Sequence, residues 1–487
     1  MYFISGQDPN EIGDFDVVAK DGQLHCFYLS LPSHDTIGHL ASDDGINWSP
    51  LPAAIRTGDP DDFDGDQIWT MGVFQKDGHW FMLYTALSQR GLMQTTGLAT
   101  SPDLIHWTKS KTNPVIKADP RWYEAVQKGN YRVDWRDPHV VVKDGVCHGF
   151  ICARQNQGLL NRRGCAGYFT SKNGHHWQVK PPACTPSNCF DWECPSVFEA
   201  DGRFYMVAIA GGPGRQVYRV AERIEGPYRR MADDTLLPSG NFSVRPCVWR
   251  GKLHLFHWQR GLRDWGANGG GGYAMLASPK AANVVPDGAL SVESFDWSSL
   301  YRSRRKEIGA RTPAAPSCGT WRWSRGLLRA SRMNGPAIWL TQRDHEDFIL
   351  CADLALNEKN PAKEFGLVFR ADTMGDQGMY ATVIPGRFSA ELVKYVYNRR
   401  RGPDSLWRGR SVEQTCHVAP VADRKYRLRV IVFGPSIEFN INGRLVLARM
   451  NLPRRNGRAG LFIEDGEAVF SDISIQPLSA PKCNWEF

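Results

Sequence analysis

The sequence predicts an all-β chain in two parts, a five-bladed β-propeller followed by a β-sandwich. Three observations carry this reading. The chain has 17 Trp, 23 Phe and 15 Tyr mixed with 47 Gly and 30 Pro along its 487 residues, a composition that suits short strands and tight turns rather than long helices. One phrase recurs five times along the first 300 residues, and beyond them it disappears.

The phrase consists of Asp-Gly, an alternating apolar stretch, a strand of small residues and a turn that ends in Trp. Its copies begin at Asp21-Gly22 (running to Trp48), Asp77-Gly78 (to Trp107), Asp144-Gly145 (to Trp177), Asp201-Gly202 and, more loosely, Arg250-Gly251. A two-residue hairpin needs positive φ at both central positions, which Asp followed by Gly accepts. Each copy therefore holds a hairpin. A spacing of roughly 50 to 65 residues, enough for four short strands, is what radial repetition of blades around a channel requires. Residues 1–300 are thus expected to form the propeller.

The composition then shifts through Tyr301-Arg-Ser-Arg-Arg-Lys to Pro313-Ala-Ala-Pro316, which reads as a linker over 301–316. From 317 to 487 the strands alternate, as in Tyr426-Arg-Leu-Arg-Val-Ile-Val-Phe, and Asn442-Gly443 marks a further hairpin. Two packed sheets are the expected form of this second domain.

The net charge of +8 is modest, and basic clusters such as Arg399 to Arg401 and Arg454-Arg455 come without a nucleic-acid recognition motif. No nucleic-acid partner is expected. The 12 Cys form no Cys-x-x-Cys pair and no His stands at zinc spacing, so neither a metal nor another cofactor is expected. Cys26, Cys147, Cys152 and Cys351 lie in strand patterns, where Cys behaves as a small apolar residue. The best pair for a bridge is Cys184 with Cys189. The N-terminus lacks a basic head followed by an apolar stretch, and no segment approaches membrane-spanning length. The expectation is a cytoplasmic protein without a membrane partner, or a secreted one had a signal been trimmed. A homo-oligomer is compatible with the sequence.

Three acidic segments stand at one phase of the repeat. Asp14 (in Gly13-Asp-Phe-Asp16), Asp137 (in Trp135-Arg-Asp-Pro138) and Glu193 (in Asp191-Trp-Glu-Cys-Pro195) each precede their blade's Asp-Gly by seven or eight residues. Innermost propeller strands face the axis, so side chains at a common phase converge at one mouth of the channel. Glycoside hydrolysis needs two carboxyl groups across the scissile bond, one ionised and one protonated. Asp16 rivals Asp14, since alternation turns both to one side. Trp69, Trp192 and Trp258 are candidates to stack on sugar faces. Thr70 and His39 lie in neighbouring motifs and are further substrate-binding candidates. Arg245, at the start of the fifth inner strand, and the glycines 269–272 are expected at the rim.

The chain resembles glycoside hydrolase family 32, the invertase, inulinase and levanase group. The resemblance rests on His39-Leu-Ala-Ser-Asp-Asp-Gly-Ile-Asn-Trp48, Ala99-Thr-Ser-Pro-Asp-Leu-Ile-His-Trp107, Arg136-Asp137-Pro138 and Glu193-Cys194-Pro195. It implies a propeller followed by a concanavalin-like sandwich, and cleavage of terminal furanosidic linkages in an oligosaccharide or polysaccharide. It also implies that Asp14 is the nucleophile, Asp137 the transition-state stabiliser and Glu193 the general acid/base. Arg136 would hold its neighbouring acid ionised and donate to substrate. The family's first motif reads Asn-Asp-Pro-Asn-Gly, whereas this chain has Gly13-Asp14-Phe15-Asp16-Val17. Family 43 propellers, the arabinofuranosidases and xylosidases that invert configuration, share the acid triad. Asp14 as a base activating water therefore stays open, as do fructosyl transfer and sugar binding without turnover.

Overall fold

The computed structural model describes residues 11–479, apart from 89–92, 127–131, 212–214, 261–273, 311, 313–317, 399–406, 420 and 451–455. Almost all regular structure among them is β. The exceptions are three single-turn 3₁₀ segments at Leu160–Arg162, Ser298–Leu300 and Pro385–Arg387.

Five antiparallel sheets follow one another along the chain. Blade one comprises Glu11–Lys20, Gln23–Leu31, Thr36–Ser42 and Ser49–Arg56. Blade two comprises Gln67–Lys76, His79–Ser88, Met93–Ser101 and Thr108–Lys109. Blade three comprises Trp135–Lys143, Val146–Arg154, Gly164–Ser171 and Gln178–Cys184. Blade four comprises Trp192–Ala200, Arg203–Ala210, Gln216–Ala221 and Arg229–Leu237. Blade five opens with Asn241–Trp249 and Lys252–Arg260 and closes with Lys280–Val284 and Leu290–Ser294. The first strands of successive blades lie side by side, and that of blade five lies against that of blade one, so the ring closes.

The repeated phrase has a local cause in every blade. Asp21, Asp77, Asp144, Asp201 and Arg250 all adopt φ near 50°, and the glycines after them φ of 69 to 83°. These are the left-handed pairs that a tight hairpin between right-twisted strands demands. At the other end of the phrase, Ser42, Ser101 and Ser171 accept a backbone N–H three residues on, each at 2.9 Å. Asp44, Asp103 and Asn173 each accept two further N–H groups. Side chains that close such turns fix where the fourth strand begins. The blades then stack on apolar faces, with Phe150, Tyr168, Trp192 and Met206 buried between blades three and four.

The second unit begins at Val292, ahead of residue 301, and includes residues 237–239. Trp297 packs on Phe433 at 5.0 Å, and Ser294 hydrogen-bonds Asn440, which ties this early stretch to the second core. Within the stretch expected as linker, Lys306–Glu307 is a short strand paired with Ser474 and Ile475; residues 313–316 lie outside the described residues. The sandwich is organised by one 20-residue strand, Arg458–Pro477, which pairs with Leu327–Leu340, Phe348–Leu356 and Glu364–Ala371. It turns at Asp465-Gly466, with φ of 49 and 143°. A side chain at Gly466 would meet the Pro361 carbonyl at 2.5 Å. Both halves bury their apolar faces in one core that includes Phe365, Leu428, Phe439 and Phe470.

Cys184 and Cys189 are not bridged. Both are packed in the apolar layer between blades three and four, where burial pushes their thiols up to about 12 and about 11. They serve there as small apolar residues.

Candidate active site

Each innermost strand breaks register at the same place. The breaks fall between Ile12 and Phe15, Trp69 and Met71, Glu193 and Ser196, and Phe242 and Arg245, and opposite Phe150 and Cys152 in blade three. Counting seven residues back from each hairpin turn gives Asp14, Thr70, Asp137, Cys194 and Ser243. Asp137, Cys194 and Ser243 stand at φ of 63, 49 and 51°, a conformation that costs about 1 kcal/mol or more outside glycine. A bulge re-aims one side chain out of the pleat. Repeated around the ring, it brings the side chains of Asp14, Thr70, Asp137 and Cys194 together.

The acids meet there. The Asp14 carboxylate accepts from Thr70 Oγ1 at 3.0 Å, from Trp258 Nε1 at 2.8 Å and from the Cys194 thiol at 3.5 Å. Asp137 Oδ2 accepts the Cys194 backbone N–H at 3.1 Å. Oxygens of Asp14 and Asp137 and the Cys194 sulfur lie within 4.8 Å of one another. This trio is the one metal-capable group among the described residues. Burial holds the Cys194 thiol well above its ordinary range, which makes it a donor to Asp14 rather than a thiolate ligand. Glu193, one residue earlier, joins through Arg136, whose Nη2 lies 2.5 Å from Glu193 Oε1 and whose Nε lies 3.5 Å from Asp137 Oδ2.

The acids differ in environment. Burial pushes the Glu193 carboxyl up to about 7; Arg136 opposes this, while Asp191 and Asp137 add to it. Asp137 is also raised, by burial first, against the pull of Arg136 and with repulsion from Asp14. Asp16 lies one layer deeper, buried, with its carboxylate accepting the N–H groups of Val17 and Val73. Its protein donors and its depth remove it as a rival to the more accessible Asp14.

Of the residues proposed to contact substrate, Thr70 and Trp258 touch Asp14, and Arg136 touches two of the acids. Arg136 is 2% exposed and also pairs with Asp134 and Asp191, so its donors serve protein carboxylates rather than a sugar. Trp69 is half-buried, its Nε1 on Gln67 and the Arg132 guanidinium 4.9 Å from its ring. Three expectations are corrected. His39 lies inside blade one, stacked on Phe27 at 4.2 Å and hydrogen-bonded to His25, because its strand is third from the axis. Trp192 is fully buried between blades, since alternation sends it opposite to Glu193. Arg245 forms the floor rather than the rim, donating to the Phe15 carbonyl, the Met71 carbonyl and Ser196 Oγ. The glycines 269–272 lie outside the described residues.

Sequence reasoning missed Cys194, Ser243, Asp134 and Asp191. Counting back a constant seven residues in all five blades finds the first two. Asp134 is buried between Arg136 and Arg154, a pairing that only the fold reveals.

Residues 7–225 match the family model described as "Glycosyl hydrolases family 32 N-terminal domain". An insoluble isoenzyme of β-fructofuranosidase from Arabidopsis thaliana is 32% identical over 188 residues, 36% of this chain and 30% of that relative. A fructan 1-exohydrolase of Triticum urartu is 27% identical over 192 residues, 37% of this chain and 30% of that relative. The match thus spans under a third of these curated relatives' length. Among solved structures, fructan 1-exohydrolase IIa of Cichorium intybus aligns over 99% of this chain and 97% of its own, with a TM-score of 0.72 and 16% identity. An exo-inulinase of Aspergillus awamori aligns over 98% of each chain, with a TM-score of 0.67 and 17% identity.

Proposed function

We propose that this chain, whose residues 7–225 match the N-terminal domain of glycoside hydrolase family 32, hydrolyses terminal β-fructofuranosidic linkages with retention of configuration. The observation that carries the proposal is the gathering of Asp14 and Asp137 around Cys194, with Glu193 joined to them through Arg136 and raised by burial to about 7.

In this reading Asp14, aligned by Thr70 and Trp258, attacks the anomeric carbon of the fructosyl unit. Glu193, able to hold a proton near neutral pH, passes it to the departing glycosidic oxygen. A glycosyl ester on Asp14 results, and Glu193, now ionised, takes a proton from the water that hydrolyses it. Asp137 accepts from sugar hydroxyls, which sharpens as positive charge develops on the ring. The Arg245 floor closes the channel under the acids, which favours a pocket for one terminal unit over a through-groove.

The test is to incubate the protein with sucrose and inulin and to follow by NMR the anomer released first, before mutarotation. Release of β-fructofuranose is expected. First release of the α anomer would reassign Asp14 as a base that activates water.

A further inference from the structure

Phe190 lies three residues before Glu193, next to Asp191, and is 37% exposed. Its inner face rests on the Arg154 guanidinium, 4.4 Å from the ring centroid. Arg154 is buried, and it pairs with Glu124 at 2.7 Å and with the buried Asp134. Asp134 in turn holds Arg136 at 2.6 Å, and Arg136 holds Glu193. One chain of ion pairs therefore fixes an open aromatic face relative to the acid that protonates the leaving oxygen. Among the described residues, no other ring stacks on Phe190. The neighbouring turn carries Leu159 and Leu160, 68 and 40% exposed, and is held to the same Glu124 through Arg163.

An exposed phenyl ring laid flat on a buried, fully paired arginine offers its other face to a ligand. A sugar presents the matching surface, the C–H face of its ring. We infer that Phe190 is the platform for the leaving group's ring, and that this ring is a neutral sugar. The inference rests on the hydrolase reading above. Neutrality follows from the charge balance: Arg132, Arg136, Arg154 and Arg163 each already face a carboxylate, so a phosphate brought among them would also meet Glu124, Asp134 and Glu193.

The test compares kcat/KM for sucrose, whose leaving group is a ring, with that for methyl β-D-fructofuranoside, whose leaving group is methanol. The readout is the ratio of the two. In Phe190→Ala and Phe190→Leu the ratio is expected to fall roughly five- to tenfold, and in Phe190→Tyr to stay near the parent value, because only Tyr restores an aromatic face. Phe190→Leu keeps apolar bulk over Arg154 and so controls for folding. An unchanged ratio in Phe190→Ala, including an equal loss on both substrates, overturns the platform. A preference of the unaltered enzyme for sucrose 6-phosphate, with its phosphate on the leaving glucose, overturns the neutral ring. Failure of the unaltered protein to release fructose from either glycoside removes the hydrolase reading and this inference together.

Discussion

One nitrogen of Arg136 serves two carboxylates: Nη2 lies 2.5 Å from Glu193 Oε1 and 3.1 Å from Asp191 Oδ2. The arginine would by itself keep Glu193 ionised, and an ionised Glu193 cannot protonate a leaving group. Burial and the second carboxylate oppose it and leave Glu193 raised to about 7.

Asp191→Asn removes that second negative charge without changing shape. Asp191 raises the proton affinity of Glu193, so the substitution lowers it. Glu193 acts as an acid while protonated, and activity is lost as pH rises through its titration. The alkaline limb of the kcat profile is therefore expected to move to lower pH, by roughly half a unit to one unit. A full pH–rate profile checks this, and an alkaline limb that stays put or moves upward contradicts it.

Glu193→Gln separates protonation from attack. Glutamine keeps the size of the side chain and can still face Arg136 through its carbonyl, but it has no proton to give. Hydrolysis of sucrose is expected to fall by roughly 10³-fold or more in kcat, whereas an aryl fructoside with an acidic phenol as leaving group loses far less in the first step. Asp14→Asn, which removes the nucleophile, is expected to abolish turnover of both substrates. Stopped-flow release of the aryl group distinguishes the two variants.

The difference between what the sequence disclosed and what it hid follows from how each signal arises. Turn chemistry is local, so the four Asp-Gly pairs and the looser Arg250-Gly251 point directly to five blades. Phase along an innermost strand is also local, which is why counting alone brings Asp14 and Asp137 together, while Glu193 stands one residue off that count and joins them through Arg136. A side chain's partner across the ring is not local. Arg245 reads as rim because it opens the fifth inner strand, yet its guanidinium spans to blades one, two and four and fills the floor. Trp192 reads as a sugar platform by adjacency to Glu193, although alternation sends adjacent residues to opposite faces. The bulge that lets Cys194 join the acids breaks that same alternation, and no composition rule announces it.

Trp258 donates Nε1–H to Asp14 at 2.8 Å while its ring stacks on Phe242 at 4.5 Å. Trp258→Phe keeps the stack and deletes the donor. A hydrogen bond to a charged group is worth about 1.5–3 kcal/mol, so kcat is expected to fall roughly 10- to 100-fold, with little change in Tm. Measuring kcat, KM and Tm together checks this, since a collapse in Tm would instead assign the residue to packing.

His39 is expected to govern acid stability rather than substrate binding. It is buried in blade one, its Nε2 3.0 Å from His25 Nδ1, and desolvation, with repulsion from His25, lowers its proton affinity to about 3. In the unfolded chain an ordinary histidine titrates near 6.5. Between these values the unfolded state binds a proton that the folded state refuses, so folding stability is full above about pH 6.5 and declines as pH falls toward 3. His39→Phe removes this titration while retaining a ring to stack on Phe27. The variant loses the bond to His25 and is expected to be less stable near pH 7 by about 1 kcal/mol. Its Tm should then fall less steeply than the parent's between pH 6.5 and 4, so that the two curves converge or cross. Parallel Tm curves for parent and variant over that window would show that His39 is not the group whose protonation unfolds blade one.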